Sequence, residues 1–386
     1  TASGDRIEDV FQTLLEKQTG IAPAPSDRSL RTDLAAMLPG EWPAEMREKL
    51  IALTKRTARQ ALEDSGAAEP VPEERRFLIV GTSLGFRLDS EAFCREPLDG
   101  WVNEVAESLG MEGIALSTAC SSGSDALLLG AHLIATGQAD LCVCGGADIL
   151  TDSKRLAHSA LGTLSLSTLK SFDATHEGTI LGEGAGFLVL QREGGSAPRV
   201  LARLVGAGAS NDAAGLTAPD EQGNGIRLAL QRALTQAGLE PGDIALINAH
   251  GSGTLTNDRV ESNAYNQFFT HRPWVFATKG NFGHTLGATG ALEAIALIHS
   301  LNAGIIPPVY ELKKPIDGLR FNLPAAQPQP PQRQGGRRPD HRRGHRPLAQ
   351  PPAGAGRSLG RQQRRLAARG QAGQGTRRPR SRHRPP

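Results

Sequence analysis

Between residues 77 and 300 short apolar runs alternate with longer stretches of helical spacing, and that alternation admits few folds. The run 77–81 reads as a buried strand, and 141–145, 186–190, 200–205, 244–248 and 274–278 read as strands of the same kind. Residues 119–137 have helical length, with Ala126, Leu127, Gly130, Leu133 and Ile134 three and four positions apart and Gly137 at the end. Residues 222–237 and 287–300 read as further helices, the second built of small and aliphatic residues that permit close packing. Strands apolar along their whole length need cover on both faces, which predicts an α/β protein with largely buried sheets. A helical pattern at 11–15 stands near Thr1 with no strand ahead of it.

Charge divides the 386 residues unevenly. The formal total is +3, yet residues 331–386 hold sixteen Arg against one acid, Asp340, leaving −12 on the first 330. An acidic body argues against nucleic acid as the main partner. The basic segment lacks aromatic residues to stack on bases, so it offers only nonspecific charge. Its sole large apolar residues are Leu348, Leu359 and Leu366, too few to offset chain entropy, so residues 325–386 are expected to be a disordered tail. Arg, Pro, Gly, Ala and Gln are also what GC-rich coding DNA yields when read out of frame, and an out-of-frame tail is the origin we expect.

Four cysteines, Cys94, Cys120, Cys142 and Cys144, do not suggest a disulfide framework. Cys142 and Cys144 share one face of an apolar run and read as small core residues, not a metal pair, so no metal site is expected. No apolar stretch reaches the ~18 residues of a membrane span and no signal peptide opens the chain, so a cytoplasmic protein without membrane contact is expected.

Cys120 is the cysteine with other prospects. It stands between the apolar residues 114–116 and the start of a helix, where the helix dipole favours thiolate. The turn aims the sulfur outward, and Gly123 permits close backbone approach. A lone cysteine is more often structural. Two histidines alter that balance. His250 follows a strand and opens a small-residue loop; His284 repeats the arrangement after Lys279 and ahead of a helix. Strand ends in α/β folds gather ligand loops, and a helix-start cysteine with two such histidines suits acyl-thioester chemistry.

The run Thr118, Ala119, Cys120, Ser121, Ser122, Gly123 resembles the nucleophile motif of the β-ketoacyl-acyl carrier protein synthase family. Ala249, His250 and Gly251, with Thr254, Asn257 and Asp258, resemble that family's first histidine loop. Lys279, Gly280, Gly283, His284, Leu286, Gly287 and Ala288 resemble its second. Phe172 and Asp173, followed by the Gly-Glu-Gly-Ala-Gly run 182–186, match a further segment, and the likeness extends over about residues 14–322.

That resemblance implies a thiolase-like α/β fold of two similar halves, 1–195 and 196–324, meeting near 192–200 in a five-layered α-β-α-β-α arrangement. It implies a decarboxylating Claisen condensation of an acyl thioester with malonyl-acyl carrier protein, through an acyl-Cys120 intermediate, in fatty acid or polyketide synthesis. His250 and His284 then stabilise the enolate, Lys279 supports His284, and Glu293 orders the site. Ser252 and Thr254 meet the pantetheine. Asn257, Asp258 and Glu261 read instead as helix-capping residues. No resident cofactor is implied, because the phosphopantetheine arrives on the carrier protein. The implied partners are that carrier protein and either an identical subunit, in a homodimer, or a related synthase subunit, in a heterodimer. A thiolase proper carries a second active cysteine near its end, and none follows Cys144; condensing enzymes that prime from coenzyme A pair Cys with His and Asn, and His284 stands against that.

Departures define the alternative. Ser252 stands where the family usually has Thr, and His176 and Glu177 replace a usual Arg-Asp pair. The stretch between Gly81 and Cys120 is short, the family's first strand is missing before Thr1, and no Gly-Phe-Gly-Gly loop follows Asn322. That loop supplies one of two oxyanion donors, worth roughly 100- to 1,000-fold in rate. The second reading is therefore a catalytically impaired partner subunit of a synthase heterodimer.

Overall fold

The computed structural model describes residues 1–330 apart from 68–70, 90–95, 195–197, 216–217 and 326. The arginine-rich tail, with the disorder and reading-frame expectations attached to it, lies almost wholly outside the described residues, as does Cys94. Helices α1 (Ile7–Leu15) and α2 (Met46–Ser65) precede strand β1 (Arg76–Gly81). Helix α3 (Gly100–Glu107) leads to β2 (Glu112–Leu116), α4 (Ser122–Ala135) to β3 (Leu141–Asp148), and α5 (Asp152–Ala160) to β4 (Gly184–Gln191). Then α6 (Asn224–Ala237) leads to β5 (Leu246–Asn248), α7 (Leu255–Phe268) to β6 (Trp274–Phe276), and α8 (Thr289–Ala303) follows.

The first sheet has the order β2-β1-β3-β4. Its first three strands run parallel, with Phe77 beside Glu112 on one side and Cys142 on the other, and β4 returns antiparallel to β3. Every residue of β3 is buried, as expected of a strand covered on both faces. Leu50, Leu53, Trp101, Val102 and Val105 of α2 and α3 pack on one face against Leu78, Val80 and Val143. Ala126, Leu133 and Ile134 of α4 cover the other, against Ile79, Cys142 and Cys144. Each such fully buried aliphatic or aromatic side chain contributes ~1.5–3 kcal/mol.

Helix α8 lies between the sheets, in contact with α4, β3 and β5. Beyond it β5 and β6 pair in parallel, and Ile226 and Leu230 of α6, Tyr265 of α7 and Phe269 just after it pack with Ile247 and Val275 on their far side. The layers are thus helices, sheet, helices, sheet, helices, the thiolase-like five-layered order, with four strands in the first sheet and two in the second. Helix α4 starts at Ser122 and not at residue 119, because Ala119 takes the left-handed conformation at φ 56° and Cys120 sits in a short turn ahead of the helix.

One expected strand does not form. Residues 200–205 are irregular, with Val200 71% and Val205 57% exposed. A strand is stabilised by its ladder, and among the described residues no strand runs beside this one. Side chains hold its neighbourhood instead: Asn302 donates to the Leu201 carbonyl (3.2 Å), and the Ala207 N–H donates to Gln236 (2.7 Å). No helix among the described residues is long and apolar enough to cross a membrane.

Candidate active site

Cys120 occupies the turn Ala119–Ser121 between β2 and α4. Three side chains brace that turn: the Ser122 hydroxyl donates to the Ala119 carbonyl (2.7 Å), and Thr118 and Ser121 donate to Asp125 (2.6 and 2.9 Å). A Cβ at Gly123 would lie 2.9 Å from the Gly287 carbonyl oxygen and the Ala291 nitrogen, so only glycine lets the Cys120 turn press against α8 and the loop before it.

His284 reaches the sulfur directly, with Nε2 3.1 Å from Cys120 Sγ. Its loop is fastened by backbone bonds to the segment ahead of β4: the His284 N–H donates to the Ile180 carbonyl (2.7 Å), and the Gly182 N–H donates to the His284 carbonyl (2.9 Å). This explains why the glycine run at 182–186 accompanies the histidine motifs. On the ring's other side, Nδ1 accepts the Leu286 N–H at 3.3 Å and stands 3.0 Å from the Thr289 hydroxyl. An accepting Nδ1 places the neutral ring's proton on Nε2, facing the sulfur.

The His250 ring stands edge-to-face with His284, centroids 5.2 Å apart. Its loop hangs on Glu261, whose two oxygens accept the N–H groups of His250 (2.8 Å) and Gly251 (2.9 Å). Lys279 is fully buried and its ammonium contacts the His250 carbonyl, the His250 Nδ1 (3.4 Å) and the Glu293 carboxylate. Its direct contacts are thus with the His250 loop and Glu293, while on His284 it acts through its charge alone. The one-turn helix Lys279–Phe282 carries the His284 loop away while the long side chain reaches back to the neighbouring loop. Glu293 accepts from Lys279, and its backbone carbonyl accepts from Asn248 at 2.8 Å.

Burial, aided by the Lys279 charge, holds both histidines well below the ordinary imidazole range, so both are neutral at pH 7. Burial raises Glu293 to about 7 against the pull of Lys279. The Cys120 thiol moves opposite to the helix-dipole expectation. Burial raises it, the Asp148 and Glu293 charges add to the rise, and Lys279 opposes it. The residue is partly exposed, but the atoms around its thiol disfavour the charged form.

Ser252 and Thr254 lie 2.9 Å apart through their hydroxyls, and Thr254 caps α7 by accepting the Asn257 N–H at 3.4 Å. The capping role expected of Asn257, Asp258 and Glu261 is corrected, since Thr254 is the cap and the two acids are buried loop anchors. Asp258 accepts the N–H groups of Phe172 (2.8 Å) and Gly253 (3.1 Å) and contacts His176 Nδ1 at 3.1 Å. Glu177 accepts from Ser165 and Ser167 at 2.9 and 2.8 Å, away from this cluster. Sequence reasoning missed two further buried pairs. Lys49 with Glu183 (2.8 Å) ties α2 to the residue just ahead of β4, and Lys154 with Asp148 lies under the His284 loop. Their only signal was a charged residue inside or beside an apolar strand. Cys142 and Cys144 are buried core residues, as expected, and the described residues contain no His/Cys/Asp/Glu group suited to a metal.

The N-terminal and C-terminal domain descriptions of the beta-ketoacyl synthases match residues 43–194 and 201–313. The 3-oxoacyl-[acyl-carrier-protein] synthase 2 of Mycobacterium tuberculosis is 29% identical, covering 86% of this chain and 89% of its own length. Among solved structures, a beta-ketoacyl synthase from Burkholderia phymatum superposes with TM-score 0.77 at 28% identity, covering 86% of this chain and 91% of its own. A ketosynthase from Xenorhabdus doucetiae, solved in complex with its chain length factor, gives 0.69 at 30% identity, covering 86% and 89%.

Proposed function

The chain belongs to the β-ketoacyl synthase family, and from that membership we propose that it is an acyltransferase, a 3-oxoacyl-[acyl-carrier-protein] synthase, with Cys120 as nucleophile. The observation that carries this reading is the 3.1 Å approach of His284 Nε2 to the Cys120 sulfur, with His250 stacked edge-on beside it.

In the first half-reaction the Cys120 thiolate attacks the carbonyl carbon of an acyl thioester. The Cys120 backbone N–H faces the developing oxyanion, and the proton that the Cys120 thiol gave up on forming the thiolate ends on the carrier's departing sulfur. In the second, a malonyl thioester loses CO2. The electron pair left behind becomes an enolate, whose oxygen accepts hydrogen bonds from the two histidines. A neutral imidazole with its proton on Nε2 is the donor that step needs. For His250, the Lys279 ammonium beside Nδ1 favours the same tautomer. The enolate carbon then attacks the acyl-Cys120 carbonyl, the carbon–carbon bond forms, and the thiolate departs.

The phosphopantetheine arm is substrate in this scheme, met by Ser252 and Thr254, and the carrier protein is the partner that delivers it. Fatty acid or polyketide synthesis is the setting such a product implies. A second subunit is part of the proposal, since relatives include both a synthase and a ketosynthase with its chain length factor. A Cys120 sulfur in contact with His284 favours the catalytic subunit over the impaired partner. The test is mass spectrometry after exposure to acyl-carrier protein. Acyl mass on the peptide bearing Cys120 is expected, and none on Cys120, or acyl elsewhere, overturns the assignment.

A further inference from the structure

Asp148 ends β3 with no exposed surface, at the point where three segments of the site converge. One carboxylate oxygen accepts two backbone N–H groups, from Ser83 after β1 (2.6 Å) and from Gly287 in the turn after His284 (2.9 Å). The other accepts the Lys154 ammonium from α5 and the Ile149 N–H (3.2 Å); Lys154 also donates to the Ile149 carbonyl at 2.8 Å. The Gly287 peptide is closely held: a Cβ at Gly146 would stand 2.4 Å from its carbonyl oxygen. Immediately before it, Leu286 is left-handed at φ 50°, a strained conformation for leucine, and this directs its N–H to His284 Nδ1. A strained residue persists only where its surroundings over-determine it; on its C-terminal side the Ala288 N–H closes the turn onto the Thr285 carbonyl (3.0 Å), and the Gly287 N–H bond to Asp148 fastens that turn to β3.

We propose that Asp148, held by Lys154, is a positioning residue that fixes the Leu286–Gly287 peptides and thereby the tautomer of His284. The chain of contacts runs from Lys154 to Asp148, to Gly287 N–H, through the Leu286 peptide to Nδ1, and across the ring to Nε2 and the Cys120 sulfur. Asp148 touches no reacting atom. Without its acceptor oxygen the turn relaxes, Leu286 leaves the left-handed region, and Nδ1 is free to carry the proton. His284 would then present an acceptor, not a donor, where the enolate forms. The consequence for rate rests on the proposed function; the tautomer does not.

The experiment reads the ring nitrogens of His284 by 15N NMR in protein labelled at histidine, with the resonances identified by their loss in His284→Gln. Wild-type protein is expected to show Nε2 protonated and Nδ1 bare, and a protonated Nδ1 overturns the proposal with no variant needed. Asp148→Leu with Lys154→Met replaces the pair by apolar residues of similar size, avoiding a buried unpaired charge. This variant is expected to populate the Nδ1–H tautomer and to lose malonyl-thioester decarboxylation by on the order of 100-fold. Asp148→Asn with Lys154→Met keeps an amide oxygen for Gly287 and is expected to restore both. Overturning results are an unchanged tautomer in a folded Leu/Met variant, or equal loss in the Asn/Met variant. A wild type that shows the expected tautomer but never decarboxylates a malonyl thioester sinks the function and leaves the positioning intact.

Discussion

Replacing Lys279 by methionine probes the pair beneath the two histidines. Methionine keeps most of the stem volume and removes the ammonium, whose donors satisfy the His250 carbonyl and the Glu293 carboxylate. Breaking a buried ion pair by deleting one partner costs about 3–5 kcal/mol, because the surviving charge is left buried. Here the surviving charge has an exit, since burial already holds the Glu293 carboxyl at about 7 against an ordinary 4.5. A carboxyl raised in the folded state stabilises it at low pH, and that contribution is lost as pH rises from the unfolded value through the folded one. In Lys279→Met the folded value rises further, so the loss steepens above pH 7. At pH 8 the variant should be less stable than wild type by the full ~3–5 kcal/mol. At pH 5.5 the carboxyl is protonated in both proteins, leaving the unsatisfied His250 carbonyl and a deficit of about 1–3 kcal/mol. Urea unfolding followed by circular dichroism at both pH values measures the difference, and adding Glu293→Gln should remove most of the pH dependence. Equal deficits at pH 5.5 and pH 8 would refute the reasoning, and so would a Glu293→Gln background that leaves the dependence in place.

Cys120→Ala should abolish acyl transfer while the melting curve stays near wild type, since one sulfur atom of a partly exposed residue is removed; any acyl-enzyme formed by this variant shows the nucleophile is another residue. His250→Ala and His284→Ala should each block malonyl decarboxylation more severely than acylation of Cys120, measured as CO2 release against acyl-enzyme mass, and equal loss of both half-reactions contradicts the division of roles. Alkylation of Cys120 by iodoacetamide should show a midpoint pH above that of free cysteine, moved higher still by Lys279→Met because the Lys279 charge draws the thiol down; a midpoint below the free value rules out desolvation as the larger effect. Glu261→Gln should loosen the His250 loop, because an amide offers one acceptor where the carboxylate gives two, to His250 and Gly251. The expected loss of about 1–3 kcal/mol is read by urea unfolding, and an unchanged midpoint denies Glu261 the anchoring role.

The sequence by itself determined the layered α/β class and the placement of Cys120, His250 and His284 at strand ends. Those features are written locally: five or six apolar residues make a covered strand, and each reactive residue sits in a short glycine-bearing motif beside one. Partners across the fold were another matter. Lys279 stands five residues before His284, and its charge acts on that ring, yet its direct contacts are with His250, because where a four-carbon side chain ends depends on which loop packs over it. Asp258 and Glu261 looked like caps for their own helix. Only the neighbouring loops, with N–H groups that no helix or sheet satisfies, made them buried anchors. Residues 200–205 have the composition of a strand, but composition cannot supply the ladder a strand needs, and among the described residues none lies beside them. The Cys120 thiol shows the same limit in its electrostatics. A helix N-terminus is visible in the sequence, whereas the desolvation that raises the thiol exists only once segments more than a hundred residues apart have closed around the sulfur.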